Sequence, residues 1–251
     1  MKIRYFSDLH LEFIKEKDIE LFLINIHNNN DDDICICAGD IGYPFESNYD
    51  KFMIHLSKIF KQSFVITGNH EYYNKDKTIS EINDYLHKYF DKFSNITFLN
   101  NSFVLYENFY FIGTTLWSFI SDYSKIINDT NYIKHHDCDK HNENNRISVQ
   151  FLENTLQHLP NNCIIITHHL PSYLLVDQKF KNSFFEPYNQ WYYSNLDSLI
   201  NLHKDKIICW IYGHTHIQSY TTINNIPFIC NPIGYPNEND TKDFNKNIII
   251  S

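Results

Sequence analysis

Five apolar, β-prone runs limit what this chain can become, because each stops at a short cluster of glycine, histidine, aspartate or asparagine. They end in Ser7-Asp8-Leu9-His10, Ala38-Gly39-Asp40, Gly68-Asn69-His70-Glu71, Thr167-His168-His169 and Gly213-His214-Thr215-His216. Continuous runs such as Ile34-Cys35-Ile36-Cys37 and Cys163-Ile164-Ile165-Ile166 are patterned like strands covered on both faces. A sheet of that kind exposes functional side chains where its strands run out, so the clusters fall where an α/β fold carries its chemistry.

The residue types are those a pair of cations would need. In an extended segment residues i and i+2 point to the same side, so Asp8 and His10 are expected to converge on one ion. Gly39 permits a tight turn that brings the Asp40 carboxylate close to a ligand. Asn69 offers a neutral carbonyl oxygen, His70 can donate a proton or a hydrogen bond, and Glu71 can orient its neighbours. His168, His169, His214 and His216 supply paired imidazoles, the commonest side-chain metal ligands. Taken singly, an Asp-x-His pair is ordinarily a surface pair and a Gly-Asp an ordinary turn. The combination is what has meaning.

Asp-x-His, then Gly-Asp, then Gly-Asn-His-Glu, then a histidine, then Gly-His-Thr-His, complete and in order over roughly residues 3 to 230, resembles the calcineurin-like metallophosphoesterase family. The resemblance implies one metal held by Asp8, His10, Asp40 and His216, and a second by Asp40, Asn69, His168 and His214, with Asp40 bridging. It implies two divalent ions, manganese foremost, with iron, zinc, nickel and cobalt also accepted by such N and O donors. It implies a shared hydroxide as nucleophile and His70 as the catalytic group that meets developing charge or protonates the leaving oxygen. Choosing His168 over His169 as the ligand follows the family pattern, and His169 and Tyr173 stay as candidates for substrate contact. The implied fold is α/β, two mixed β-sheets packed face to face with helices on the outer faces, a four-layer αββα sandwich. The implied activity is hydrolysis of small phosphodiesters or phosphomonoesters. A nucleotide pyrophosphohydrolase, a nuclease, or a catalytically silent interaction scaffold are the other readings. After Gly39-Asp40 the chain reads Ile41-Gly42-Tyr43, without the Asp-Arg-Gly extension of the serine/threonine protein phosphatases.

Composition narrows the partners. A formal charge of -9 argues against bulk attachment to nucleic acid or anionic membranes, leaving a small phosphate ester as the expected partner. Cys35, Cys37, Cys163, Cys209 and Cys230 sit in or beside apolar runs, Cys138 stands apart, and no Cys-x-x-Cys occurs, which favours reduced thiols over a disulfide scaffold or zinc ribbon. With no apolar leader and no run near the roughly 18 residues of a membrane span, a cytoplasmic chain is expected.

The 251 residues, without a long linker, read as one domain over 1–251. Helical spacing appears at Ile19, Phe22, Leu23 and Ile26, at Phe52, His55, Leu56 and Ile59, and at Ile79, Ile82, Tyr85, Leu86 and Tyr89. It recurs from about 145 to 158, with Ile147, Phe151 and Leu152 along one side, and near 194 to 202, where Ser194 is the expected N-cap. Short strands are expected at 97–99, 102–106, 109–113, 218–223 and 226–230, with Asn224-Asn225 as a hairpin turn. The segments 117–146 and 172–193 read as lid-like insertions beside the cleft. The histidines from His135 to His141 read as a solvated loop, and the polar tract from Asn28 to Asp33 as a solvated turn.

Overall fold

Strand and helix alternate through the first hundred residues: β1 (Lys2–Phe6), α1 (Ile19–Asn25), β2 (Ile34–Ala38), α2 (Ser47–Ile59), β3 (Gln62–Ile66), α3 (Ile79–Phe90) and β4 (Ile96–Phe98). The remainder forms β5 (Ser102–Tyr106), β6 (Phe109–Thr114), α4 (Asp129–Tyr132), α5 (Cys138–His158), β7 (Cys163–Thr167), α6 (Asp197–Leu202), β8 (Ile207–Tyr212), β9 (Ser219–Ile223), β10 (Ile226–Cys230) and β11 (Ile248–Ile249). The structure, a computed structural model, describes residues 2–25, 34–238 and 248–249. Ile26 and the Asn28 to Asp33 tract lie outside the described residues.

Two mixed sheets result. One has the order β11-β1-β2-β3-β4, parallel except for β11; the other has the order β5-β6-β7-β8-β10-β9, parallel from β6 to β10 with antiparallel edges. Period-two alternation explains why the strand sequences are continuously apolar. Ile34, Ile36, Phe64, Ile164 and Ile166 fill the space between the sheets, where Phe64 and Phe111 stack at 3.9 Å. Cys35, Cys37 and Val65 face the other way, onto Phe52, Leu56, Ile82 and Leu86 of α2 and α3. On the far side Ile165, Trp210 and Phe228 meet Leu152, Leu156 and Ile200 of α5 and α6. The four layers are therefore α, β, β, α, as expected. Truncating one of the buried leucine, isoleucine or aromatic side chains among these to alanine would cost about 2–5 kcal/mol.

Local signals account for several element ends. Thr78 and Glu81 form a reciprocal capping box at the start of α3. Asn224 and Asn225 both adopt positive φ, 52° and 66°, as a tight two-residue hairpin turn requires. Among the described residues none of the six cysteines is in a disulfide, and all are buried, Cys138 included. No described helix is long and apolar enough to cross a membrane.

Three expectations are corrected. Helix α5 begins at Cys138, not near 145, because the Asp137 carboxylate caps it by accepting the Lys140 N–H at 2.8 Å. Its buried side carries Leu152 and Leu156 but also His141, Asn142 and Asn145, whereas Ile147 is half exposed. Apolar periodicity cannot see a helix face that is buried through hydrogen bonds. Ser194 does not cap α6, which starts at Asp197; its hydroxyl donates to the Trp117 carbonyl at 3.1 Å.

Of the histidines at 135–141, His135 is exposed as expected, but the other two are not solvated. His136 and His141 are buried, with His136 Nε2 3.2 Å from His141 Nδ1 and His141 Nε2 2.9 Å from the Ser118 hydroxyl. Burial pushes His136 down to about 4, against the opposing charge of Asp137. The unfolded chain would then bind a proton below pH 6.5 that the folded chain refuses, so stability present above 6.5 is lost as pH falls toward 4. Going from pH 7 to 5, the loss expected from this group is about 2 kcal/mol. Urea unfolding at the two pH values should show His136→Asn with a smaller loss by that amount; identical losses would remove His136 from the account.

Candidate metal centre

All five clusters converge at the ends of β1, β2, β3, β7 and β8, but not by the extended geometry expected for Asp8 and His10. Both are left-handed, with φ of 53° and 48°, and so are Asp40 (53°), His214 (69°) and His216 (50°). Aspartate and histidine tolerate this region better than most residues, yet five such positions are a backbone bent to aim side chains. Hydrogen bonds between loops hold the bend: Asp8 N–H donates to the Gly39 carbonyl at 3.0 Å, His10 N–H to the Asp40 carbonyl at 3.1 Å, and Gly213 N–H to the His168 carbonyl at 3.0 Å. Gly68 is required by proximity, since a Cβ there would lie 2.2 Å from Asp40 Oδ1.

The donor atoms form two groups that share Asp40. In the first, His10 Nε2 lies 3.0 Å from His216 Nε2, His216 Nε2 lies 3.4 Å from Asp8 Oδ1, and His10 Nε2 lies 3.9 Å from Asp40 Oδ2. In the second, His168 Nε2 lies 3.3 Å from Asp40 Oδ2 and 3.1 Å from Asn69 Oδ1, while the ligand atoms of Asp40, His168 and His214 cluster within 4.8 Å. Two donors each about 2.1 Å from one cation at a right angle are about 3 Å apart, so these are separations a shared ion imposes.

The outer hydrogen bonds decide which nitrogen faces inward. His10 Nδ1 pairs with Glu12 at 3.0 Å, His216 Nδ1 with Glu238 at 2.7 Å, and His168 Nδ1 with the Ala38 carbonyl at 2.9 Å. With Nδ1–H donating outward, each Nε2 presents a lone pair to the centre. Two lone pairs 3.0 Å apart, as on His10 and His216, repel unless a proton or a metal ion lies between them. His214 Nε2 is buried with no hydrogen-bonding partner among the described residues. These donors fit a pair of divalent cations. Asn69 is held likewise, its Nδ2 donating to Asp129 Oδ1 at 2.9 Å so that its carbonyl oxygen faces the second group.

The field of the carboxylates favours positive charge at the same place, on the imidazoles or on a metal. Burial would raise Asp8, yet His216 and His168 hold it at about 2. Burial would lower His168, yet Asp40 and Asp8 push it up to about 9; His216, likewise buried, is pushed up to about 10 by Asp8 and Glu238. His214 goes the other way, down to about 3, through burial and the neighbouring His168, which leaves it a neutral imidazole.

His70 stands beside the first group. Its backbone N–H donates to Asp40 Oδ1 at 2.8 Å, its Nδ1 meets Glu12 Oε1 at 2.9 Å, and its Nε2 meets the Tyr235 hydroxyl at 3.0 Å. Burial works to lower its pKa, but Asp40 and Glu12 outweigh it and the result is raised. Glu71 turns inward and accepts backbone N–H groups from Gly68, Ile41 and Asp40 at 2.6, 2.7 and 3.0 Å.

Four residues of the site escape the sequence patterns: Glu12, Asp129, Tyr235 and Glu238. Glu12 follows the first motif by two residues and was detectable only as an acidic neighbour; the others come from connecting segments with no motif. The turn from Tyr235 to Glu238 is pinned to the first loop by Gly234 N–H donating to the Asp8 carbonyl at 2.8 Å.

Above the donors opens a cleft of about 330 Å³ whose wall includes Tyr73, Ile127, Asn128, Phe180, Tyr192 and Tyr235. The segments 117–146 and 172–193 thus both contribute to it. Neither sequence candidate for substrate contact does. His169 is fully buried, its Nδ1 3.3 Å from the Thr115 carbonyl, and Tyr173 lines a different depression, its hydroxyl donating to Glu186 at 3.0 Å.

A model of the calcineurin-like phosphoesterase family matches residues 1–218. Protein L509 of Acanthamoeba polyphaga mimivirus, described as uncharacterized, is 36% identical, covering 94% of this chain and 92% of its own length. Among solved structures, phosphopantetheinyl hydrolase of Mycobacterium tuberculosis is similar with a TM-score of 0.74 and 17% identity, over 94% of this chain and 90% of that one. The TT1561 protein of Thermus thermophilus is similar at 0.58 and 12% identity, over 92% and 88%. At such identities the structural likeness speaks for the fold. The family model, spanning most of the chain and all five loops, decides the rest: the chain belongs to the calcineurin-like phosphoesterase family.

Proposed function

We propose that the protein hydrolyses small phosphate esters with two divalent cations, manganese foremost. The observation that carries this reading is the inward-facing donor set, above all the Nε2 atoms of His10 and His216 opposed at 3.0 Å. Asp8, His10, Asp40 and His216 would hold one cation, and Asp40, Asn69, His168 and His214 the other. When bound, such a pair supplies Lewis acidity at phosphoryl oxygens and lowers the pKa of water from about 15.7 toward neutrality.

The chain's own part is orientation and proton supply. Glu12 fixes the rings of both His10 and His70 through one oxygen, so the acid group cannot shift without its neighbour. His70 lines the cleft with its Nε2 paired to the Tyr235 hydroxyl, and from there it would stabilise charge on the phosphoryl group or give a proton to the leaving oxygen. The aromatic wall would keep water from the other side of the phosphorus.

A metal-supplemented screen of phosphomonoesters, cyclic and linear phosphodiesters and dinucleotides tests the reading. Within it, His70→Asn should leave metal content near that of the unsubstituted protein and lower kcat by about 10²–10⁴. Full activity of that variant on every substrate turned over would remove His70 from its assigned role.

A further inference from the structure

Beyond the donor atoms the cleft is aromatic and acidic. Tyr73, Phe180, Tyr192 and Tyr235 line it, each partly exposed. The Tyr192 ring lies 4.8 Å from that of His214 and the Tyr73 ring stacks on His70 at 4.2 Å, so the aromatic wall begins at the centre itself. A group attached directly to a bound phosphoryl centre would meet these rings first.

Histidines aside, the charges lining the cleft have one sign. Apart from the proposed ligands and His70, the ionisable acids there are Asp129 and Glu238, and no lysine or arginine lines it among the described residues. Glu12 adds a further carboxylate on His10 and His70. Two divalent cations would bring four positive charges, and Asp8, Asp40, Glu12 and Glu238 would already answer them in number. Sites built for monoester dianions or polyphosphates add arginine forks or lysines around the metals. This one adds carboxylates, which penalise each further negative charge on a ligand.

We infer, resting on the phosphoesterase reading above, that the preferred substrate is a phosphodiester whose retained limb, the ester group that is not expelled, is flat and aromatic. A diester carries a single negative charge at its phosphoryl centre, and its second limb lies against Phe180 and Tyr192. Stacking on such rings is worth roughly tenfold in affinity or more.

Three esters with the same leaving group separate charge from shape. At pH 8 with manganese, kcat/KM should rise from p-nitrophenyl phosphate to methyl p-nitrophenyl phosphate to phenyl p-nitrophenyl phosphate, the last step by roughly tenfold. A monoester turned over faster than both diesters overturns the charge argument; equal rates on the two diesters overturn the flat limb. Binding gives a readout without turnover, because phosphonates of equal charge are not hydrolysed. In calorimetry phenylphosphonate should bind roughly tenfold tighter than methylphosphonate. Phe180→Ala and Tyr192→Ala, checked for folding by circular dichroism, should lose that preference, and retaining it in both overturns the placement. If no ester is hydrolysed but the phosphonate preference holds, the hydrolase reading fails while the aromatic slot stands.

Discussion

Asp40→Asn is expected to release both cations together and to lower turnover of any phosphate ester by about 10³-fold or more. Asp40 Oδ2 is the one atom near both groups, 3.3 Å from His168 Nε2 and 3.9 Å from His10 Nε2. The carboxylate is held well below its usual range, because His168 and His70 overcome its burial, so it serves as an anion. Asparagine removes that charge from both groups at once. It should spare the fold, since asparagine accepts the left-handed backbone at this position, where φ is 53°, and the Asp40 carbonyl still receives the His10 N–H. Elemental analysis should find both metals lost while the circular dichroism spectrum is unchanged. Asp8→Asn is the contrast, expected to empty the first group only. Retention of one full equivalent by Asp40→Asn would end the bridging assignment.

What sequence could and could not supply follows from where each signal is stored. A strand buried on both faces is written as a continuous apolar run, so Ile34 to Ala38 and Cys163 to Thr167 were legible, and with them the loops that carry Asp40 and His168. The hairpin at Asn224-Asn225 was legible because positive φ at two successive positions selects asparagine. The backbone geometry of Asp8 and His10 was not, since the left-handed turn is imposed by hydrogen bonds to Gly39 and Asp40 from another loop. Long-range partners are silent for the same reason. Glu238 reaches His216 and Tyr235 reaches His70 from a turn after the last strand of the second sheet, and Asp129 reaches Asn69 from the start of α4. The buried face of α5 was missed because His141, Asn142 and Asn145 satisfy their polar atoms inside, a solution that hydrophobic periodicity scores as exposure.

Glu71→Ala is expected to destabilise the protein by about 3–6 kcal/mol and to prevent metal binding, although Glu71 is not placed as a ligand. Its side chain, 2% exposed, accepts backbone N–H groups from Gly68, Ile41 and Asp40, tying the loop after β3 to the loop after β2. Alanine leaves three buried donors without an acceptor, each costing about 1–3 kcal/mol. Burial and the nearby Asp40 push Glu71 up to about 7, while His168 and the N–H donors resist. Glu71→Gln, which keeps one oxygen but turns an amide N–H₂ toward a donor, should fall between alanine and the native residue. Chemical unfolding without added metal reads this directly, and there Asp40→Asn, whose amide oxygen still accepts the His70 N–H, should lose less stability than Glu71→Ala. A Glu71→Ala protein within about 0.5 kcal/mol of the unsubstituted chain would mean that the loops hold their shape unaided. The expected difference assigns the two acids separate tasks: Glu71 sets the backbone that aims Asp40, and Asp40 then has a geometry from which to bridge.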